Sequence, residues 1–165
     1  MKLYYLTPSK FALSALALRR LKVARLIELN DSFELMAVDL DTPMQREFFR
    51  RVKDKINASH GVLCFSKSWK NPLLWGHYAD KLCGVALGFE VTSPYLVPVI
   101  YENKPFKIPT NPETGLPQLS DDLVDRLQRT KFEDWKYEDE MRVYVQLDRD
   151  VQESPGFTSI HLTNH

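Results

Sequence analysis

The segment Trp135 to Val145 (W-K-Y-E-D-E-M-R-V-Y-V) holds this chain's most concentrated set of chemically capable residues. Met141, Val143, Val145 and Leu147 recur in steps of two, so on a strand they face a core. Glu140, Arg142, Tyr144 and Gln146 then share the opposite face, and Glu138 joins them if the strand begins early. Arg142, two residues beyond Glu140 and pointing the same way, can hold that carboxylate ionised through a charge-assisted hydrogen bond. An ionised Glu140 suits stabilising positive charge or orienting a hydroxyl better than donating a proton. On this reading the strand aims Glu140 away from the main core, and Glu140→Gln leaves folding nearly intact. The plainer alternative is a solvent-facing strand with a surface Glu–Arg pair, which contributes little. Trp135 and Tyr137 favour a site, because aromatic rings beside carboxylates keep water away from them.

A second block runs from Gly61 to Glu90. Gly61–Phe65 reads as a central strand, with Ser66 presenting its hydroxyl at the carboxyl end. No G-x-S-x-G turn surrounds Ser66, which argues against a hydrolase nucleophile. Asn71-Pro72 caps and opens a helix over Leu73 to Lys81. Leu73, Leu74, Trp75, Tyr78, Ala79 and Leu82 form its apolar side. Trp75 and Tyr78 lie on one side of it and project toward the last strand. His77 reads as a structural residue, and Cys64, in an apolar strand, as a thiol quietened by burial. The candidate catalytic residues are therefore Glu140, Glu138 and Arg142, and the candidate ligand-binding residues Tyr5, Ser66, Trp75, Tyr78 and Trp135.

Other chemistries fit poorly. His60, His77, His161 and His165 show metal-ligand spacing only for His161/His165, which reads as a chain terminus, so no metal is expected. Gly84 and Gly88 make neither a dinucleotide fingerprint nor a P-loop, and no cofactor is assigned. Lys+Arg and Asp+Glu number 22 each in 165 residues, a balance that does not suit coating duplex DNA. The excess of cations on a helix around Arg46–Lys55 reads as a solvated surface. Two cysteines are too few for a disulfide scaffold. With no apolar span and no signal peptide at the start, the expectation is a cytoplasmic protein without membrane contact.

The elements that must position these residues are legible from their caps. Thr7-Pro8 predicts an N-cap and a helix through Leu18, apolar on nearly every side and hence buried on several. Thr42-Pro43 with Gln45 predicts a capping box and a helix with the stripe Met44, Phe48, Phe49, Val52 and Ile56. Ser120 caps a fourth helix. Strands are expected at Leu3–Leu6, Gly61–Phe65, Gly84–Glu90, Val97–Glu102, Met141–Leu147 and Phe157–Leu162. Asn103–Leu119, with its prolines, is expected as a patternless and mobile loop. The fold class is α+β, with about four helices and a central mixed or antiparallel sheet in a single domain over 1–165. The chain stops soon after a strand, which suggests a shortened C-terminus.

In Leu3-Tyr4-Tyr5, Asn30-Asp31-x-Phe33-Glu34, Cys64-Phe65-Ser66, Pro72-Leu73-Leu74-Trp75-x-x-Tyr78-Ala79-Asp80 and Trp135-x-Tyr137-Glu138-x-Glu140-x-Arg142, the chain resembles a bacterial and phage family known as domain of unknown function twenty-nine seventy-one. Ser32 departs from the family's usual Asn-Asp-Pro turn. The resemblance implies no established reaction. It allows a remoter analogy to ADP-ribosyltransferase-like domains, in which Glu138-Asp139-Glu140 fits the late E-x-E and Trp135 or Tyr78 stacks on a base. Tyr5 or Tyr4 stands where that analogy expects His or Arg. Two readings follow. One is a nucleotide- or NAD-handling enzyme. The other is a non-catalytic module for a ligand or protein partner, in phage defence or toxin–antitoxin signalling.

Overall fold

The computed structural model describes residues 1–31, 34–35, 37–92, 94–147, 152–154 and 157–161. Its elements are β1 (Lys2–Thr7), α1 (Ser9–Leu18), β2 (Arg20–Lys22), α2 (Pro43–Ser59), β3 (His60–Ser66), α3 (Pro72–Tyr78) and β4 (Val85–Glu90). They continue with β5 (Leu96–Pro98), β6 (Ile100–Glu102), α4 (Asp121–Arg129), β7 (Thr130–Phe132), β8 (Glu140–Gln146), β9 (Gln152–Ser154) and β10 (Phe157–His161). Short 3-10 helices occupy Leu26–Glu28 and Glu133–Glu138. The fold is α+β. Ser32, Phe33, Leu162 and His165, which entered the sequence reading, lie outside the described residues.

The main sheet has the order β4-β1-β3-β8-β5 and every pairing in it is antiparallel. β2, β10 and β9 form a second sheet, and β6 and β7 pair in parallel. On one face of the main sheet, Leu3, Leu63, Phe65, Met141 and Val145 pack with Ala15 of α1 and Leu21 and Val23. On the other, Val62 meets Leu26, Leu35, Val38, Phe49 of α2 and Leu127 of α4. β8 is thus an interior strand covered on both sides, not an edge. Among the described residues no helix is long and apolar enough to cross a membrane.

The caps fall largely where the sequence puts them. Thr42 and Gln45 close the capping box of α2, with the Gln45 N–H donating to Thr42 Oγ1 at 3.2 Å. Asn71 Oδ1 accepts from Leu73 N at 3.0 Å, and Ser120 Oγ accepts from Leu123 N at 3.3 Å. Thr7 instead completes β1, and Pro8 stands at the N-cap of α1 without a side-chain cap. α1 is not buried on several sides. It rests on the sheet through Ala12 and Ala15, small enough for close approach, and leaves Leu13 and Leu16 70% and 64% exposed.

Three further expectations need correction. α3 ends at Tyr78 rather than Lys81, because Asp80, Lys81 and Leu82 turn through φ of 48°, 53° and 77°. That left-handed turn costs roughly 1–2 kcal/mol per residue and sends the chain back alongside β1. Gly84 closes it: a Cβ there would stand 2.5 Å from the Thr7 carbonyl oxygen and 2.6 Å from Ala79 Cα. Val97–Glu102 is split at Val99, whose N–H donates to the Glu140 carbonyl, so β5 and β6 join different sheets. The Asn103–Leu119 segment is tied down. Phe106 exchanges backbone hydrogen bonds with Ala37 and Asp39, while Phe106, Ile108 and Leu119 pack on the second core.

Candidate functional site

Strand register assembles the site. Tyr4 of β1 stands opposite Ser66 of β3, and Ser66 opposite Glu140 of β8, so these residues form one row across the sheet. Cys64 stands opposite Arg142 on the same face. Opposed residues of an antiparallel pair point to the same side. A cleft of about 170 Å³ opens beside this row, lined by Tyr4, Cys64, Ser66, Tyr78, Lys131, Glu138 and Glu140 among others.

Glu138 is not on the strand. It ends the 3-10 helix before β8, and Asp139, at φ 40°, turns the chain between it and Glu140. Asn71 ties that helix to α3: its Oδ1 caps Leu73 while its Nδ2 donates to the Tyr137 carbonyl at 3.3 Å. This places Tyr78, the last residue of α3, so that its hydroxyl donates to Glu138 Oε1. Lys131, from β7, bridges the two carboxylates, with Nζ 2.5 Å from Glu138 Oε2 and 2.9 Å from Glu140 Oε2.

Behind Glu140, Arg142 is 0% exposed and fully bonded. Its Nε donates to Glu140 Oε1 at 2.8 Å, its Nη2 to Glu34 Oε2 at 3.0 Å, and its Nη1 to Glu34 Oε1 and to the Gln128 carbonyl. Glu140, at 5% exposed, also has its backbone N–H donating to the Tyr101 hydroxyl oxygen. Glu140 and Arg142 therefore face away from the first core, as strand parity requires, but into a second buried layer rather than toward solvent. Two cations among three carboxylates make this a continuous buried network.

The environments of the two cleft carboxylates differ. Burial acts to raise the Glu140 carboxyl, but Arg142 and Lys131 outweigh it and hold it well below the usual range. Burial also raises Glu138, and there it prevails over the opposing Lys131, with Glu140 adding its repulsion. Burial disfavours the Lys131 ammonium, yet Glu140 and Glu138 together drive its pKa up. Tyr78 is pushed far up by burial and by Glu138. Burial likewise raises the Cys64 thiol, with the Glu140 charge adding to it, so this cysteine is a quiet one.

Of the residues nominated from sequence, Glu140, Glu138, Ser66 and Tyr78 meet in the cleft, with Arg142 behind it. Tyr5 borders the cleft, but its ring packs edge-on against Phe65 at 6.1 Å, and its hydroxyl donates to the Lys22 carbonyl at 3.4 Å. Burial pushes its pKa up to about 12. Tyr4, one residue earlier, is the tyrosine in the Ser66–Glu140 row. Trp75 is outside the lining: its indole N–H donates to the Trp69 carbonyl at 2.6 Å. Trp135 is also outside the lining: the Lys131 Nζ lies 5.1 Å from its ring, which groups with His77 and Tyr137.

Two members of the network, Lys131 and Glu34, are not marked by the sequence. Lys131 lies in an unremarkable T-K-F strand outside both motif blocks, and nothing in its neighbours marks it. Glu34 sits in the quoted Asn-Asp-x-Phe-Glu turn, where a carboxylate beside an apolar residue was the available signal. Among the described residues no group of three His, Cys, Asp or Glu is placed to hold a metal ion. Comparison with protein-family models, with curated proteins and with solved structures finds no match for this chain.

Proposed function

We propose that the cleft is an active site handling a ribose-bearing substrate, a nucleotide or NAD, with chemistry at the anomeric carbon. The observation that carries this reading is the pair of carboxylates joined by Lys131, whose environments push their pKa values in opposite directions. Such a split assigns different tasks to two like groups. Glu140, kept anionic, faces the positive charge that develops at C1′ as the C1′–N bond breaks and its electron pair leaves with the base. Glu138, with the higher pKa, accepts the proton of the attacking hydroxyl. Tyr78 and Lys131 fix its orientation. At about 170 Å³ the cleft is smaller than the roughly 300–1,000 Å³ of typical ligand pockets. It encloses one ring, and the rest of a dinucleotide lies outside.

The test is release of the free base, followed chromatographically, from NAD and from a panel of nucleosides and nucleotides. Wild-type protein is expected to release base from at least one of them. Glu138→Gln, which keeps shape and neutralises the raised carboxyl, should lower the rate by roughly 10²–10⁴ with the fold intact by circular dichroism. Release unaffected by Glu138→Gln, or no release together with no thermal shift from any of these compounds, would remove the enzyme reading and leave a module that binds something else.

A further inference from the structure

The two edges of the main sheet are unlike. β5 is three residues long and contains Pro98, which lacks a donor, so that edge is blunted against further pairing. β4 is six residues long (V-A-L-G-F-E), without proline or lysine, and among the described residues pairs only with β1. Its backbone direction follows from the adjoining reciprocal pair. Val91 N–H donates to the Met1 carbonyl at 2.9 Å, and the Met1 amino group donates to the Val91 carbonyl at 3.1 Å. By alternation Val85, Leu87 and Phe89 turn their backbone groups to β1, while Ala86, Gly88 and Glu90 turn theirs outward. Among the described residues those outward groups meet no backbone partner.

We propose that β4 is a homodimer interface, with two copies of the strand pairing antiparallel about a two-fold axis at Leu87 to join both main sheets into one. A two-fold axis perpendicular to the sheet keeps each face on its own side, so opposed residues must share parity. Centred on Leu87, the outward groups of Ala86 bond those of Gly88 in the second copy. Leu87 then meets Leu87, and Val85 meets Phe89, an aromatic–β-branched pair of the kind that stabilises sheets. Those residues lie on the face where Leu87 and Phe89 already pack on the first core, half-covered for want of a neighbour. Charge permits the pairing: no charged residue stands between Gly84 and Phe89, and Glu90 falls opposite Gly84. A strand edge alone falls short of the about 1,200 Å² that a stable interface buries. α1, which packs against β4, carries the exposed Leu13 and Leu16.

Sedimentation of the full chain over a range of concentrations is the test. A species of twice the 19.2 kDa chain mass is expected, dissociating on dilution. Ala86→Pro removes an outward N–H that β1 does not use, so circular dichroism should be unchanged. The dimer constant should weaken by roughly tenfold or more. Gly88→Lys should do the same. A Cβ at Gly88 meets Tyr4 at an ordinary 3.6 Å, and the added charge is set against Ala86 of the second copy. Leu87→Cys in a Cys83→Ser background should cross-link under mild oxidation, because Cα atoms opposed at such a non-hydrogen-bonded position sit about 4.5 Å apart. A monomer at every concentration, a dimer indifferent to Ala86→Pro and Gly88→Lys, or a Leu87→Cys protein that never cross-links overturns the proposal.

Discussion

On one side of β8, Met141, Val143 and Val145 press against leucines, valines and Phe65. On the other side, one residue out of step, Glu140 and Arg142 are just as deeply buried, but among Glu34, Lys131 and a backbone carbonyl. The apolar side stabilises in proportion to the area it removes from water and tolerates approximate shapes. The ionic side must first lose the hydration of its charges, several kcal/mol per ion. It recovers that loss only while every partner is in place. A fold seeking stability alone has cheaper ways to fill that space, so the network marks where the chain holds charged groups beside a cleft.

The comparison can be broken most forcefully at Arg142. Arg142→Met takes the guanidinium from buried Glu34 and leaves Glu140 with Lys131 alone, and should cost about 3–5 kcal/mol by urea unfolding. A loss near 1 kcal/mol would mean that water reaches the network and that the two sides are not as different as they look. Glu140→Gln is next. It keeps the shape but takes one carboxylate from both Arg142 and Lys131, leaving them Glu34 and Glu138, so the expected cost is about 2–3 kcal/mol. The expectation of a nearly intact fold took Glu140 to be aimed away from the core, whereas its side is a second buried layer in which Glu140 is 5% exposed. Met141→Leu, an equally conservative change on the apolar side, should cost less than about 1.5 kcal/mol. If it costs more than Glu140→Gln, shape rather than charge limits this strand.

The smallest effect is a change of slope with pH. The Glu138 carboxyl is raised above its ordinary 4.5 in the folded protein, so the fold favours its protonated form. That contribution is complete below pH 4.5 and is lost as pH rises through the folded value. Glu140 is lowered, so its contribution is present above 4.5 and is lost as pH falls through its folded value. Glu138→Gln should therefore flatten the decline in stability as pH rises above 4.5 and leave the acid limb to Glu140. Unfolding curves identical in slope for wild type and Glu138→Gln would show that Glu138 does not titrate differently in the two states.

Much of this molecule is legible locally. Thr42, Asn71 and Ser120 announce helix starts because a capping side chain answers to its own next three residues. The two-residue alternation of Met141, Val143, Val145 and Leu147 identifies the face that packs on the first core, because side-chain direction on a strand follows from parity alone. The same parity groups Glu140 with Arg142. It does not say whether their side of the strand meets water, since that depends on α2, α4 and the segment around Glu34 arriving to cover it. The leucines of α1 make the reverse case, apolar by type and exposed because the helix seats on its alanines.

The sequence by itself determined the residue types available for chemistry, the helix starts and the faces of the strands, all of them consequences of bonding within a few residues. Tertiary structure alone decided which of those residues meet. Lys131 reaches Glu138 and Glu140 because β7 pairs with β6 and packs against the 3-10 helix that ends in Glu138. Arg142 finds Glu34 across 108 residues of chain. Tyr4 rather than Tyr5 joins the row with Ser66 because antiparallel register fixed which side of β1 faces the cleft. Each of these depends on distant segments settling side by side, and no local pattern of residues encodes the depth at which a charge ends up buried.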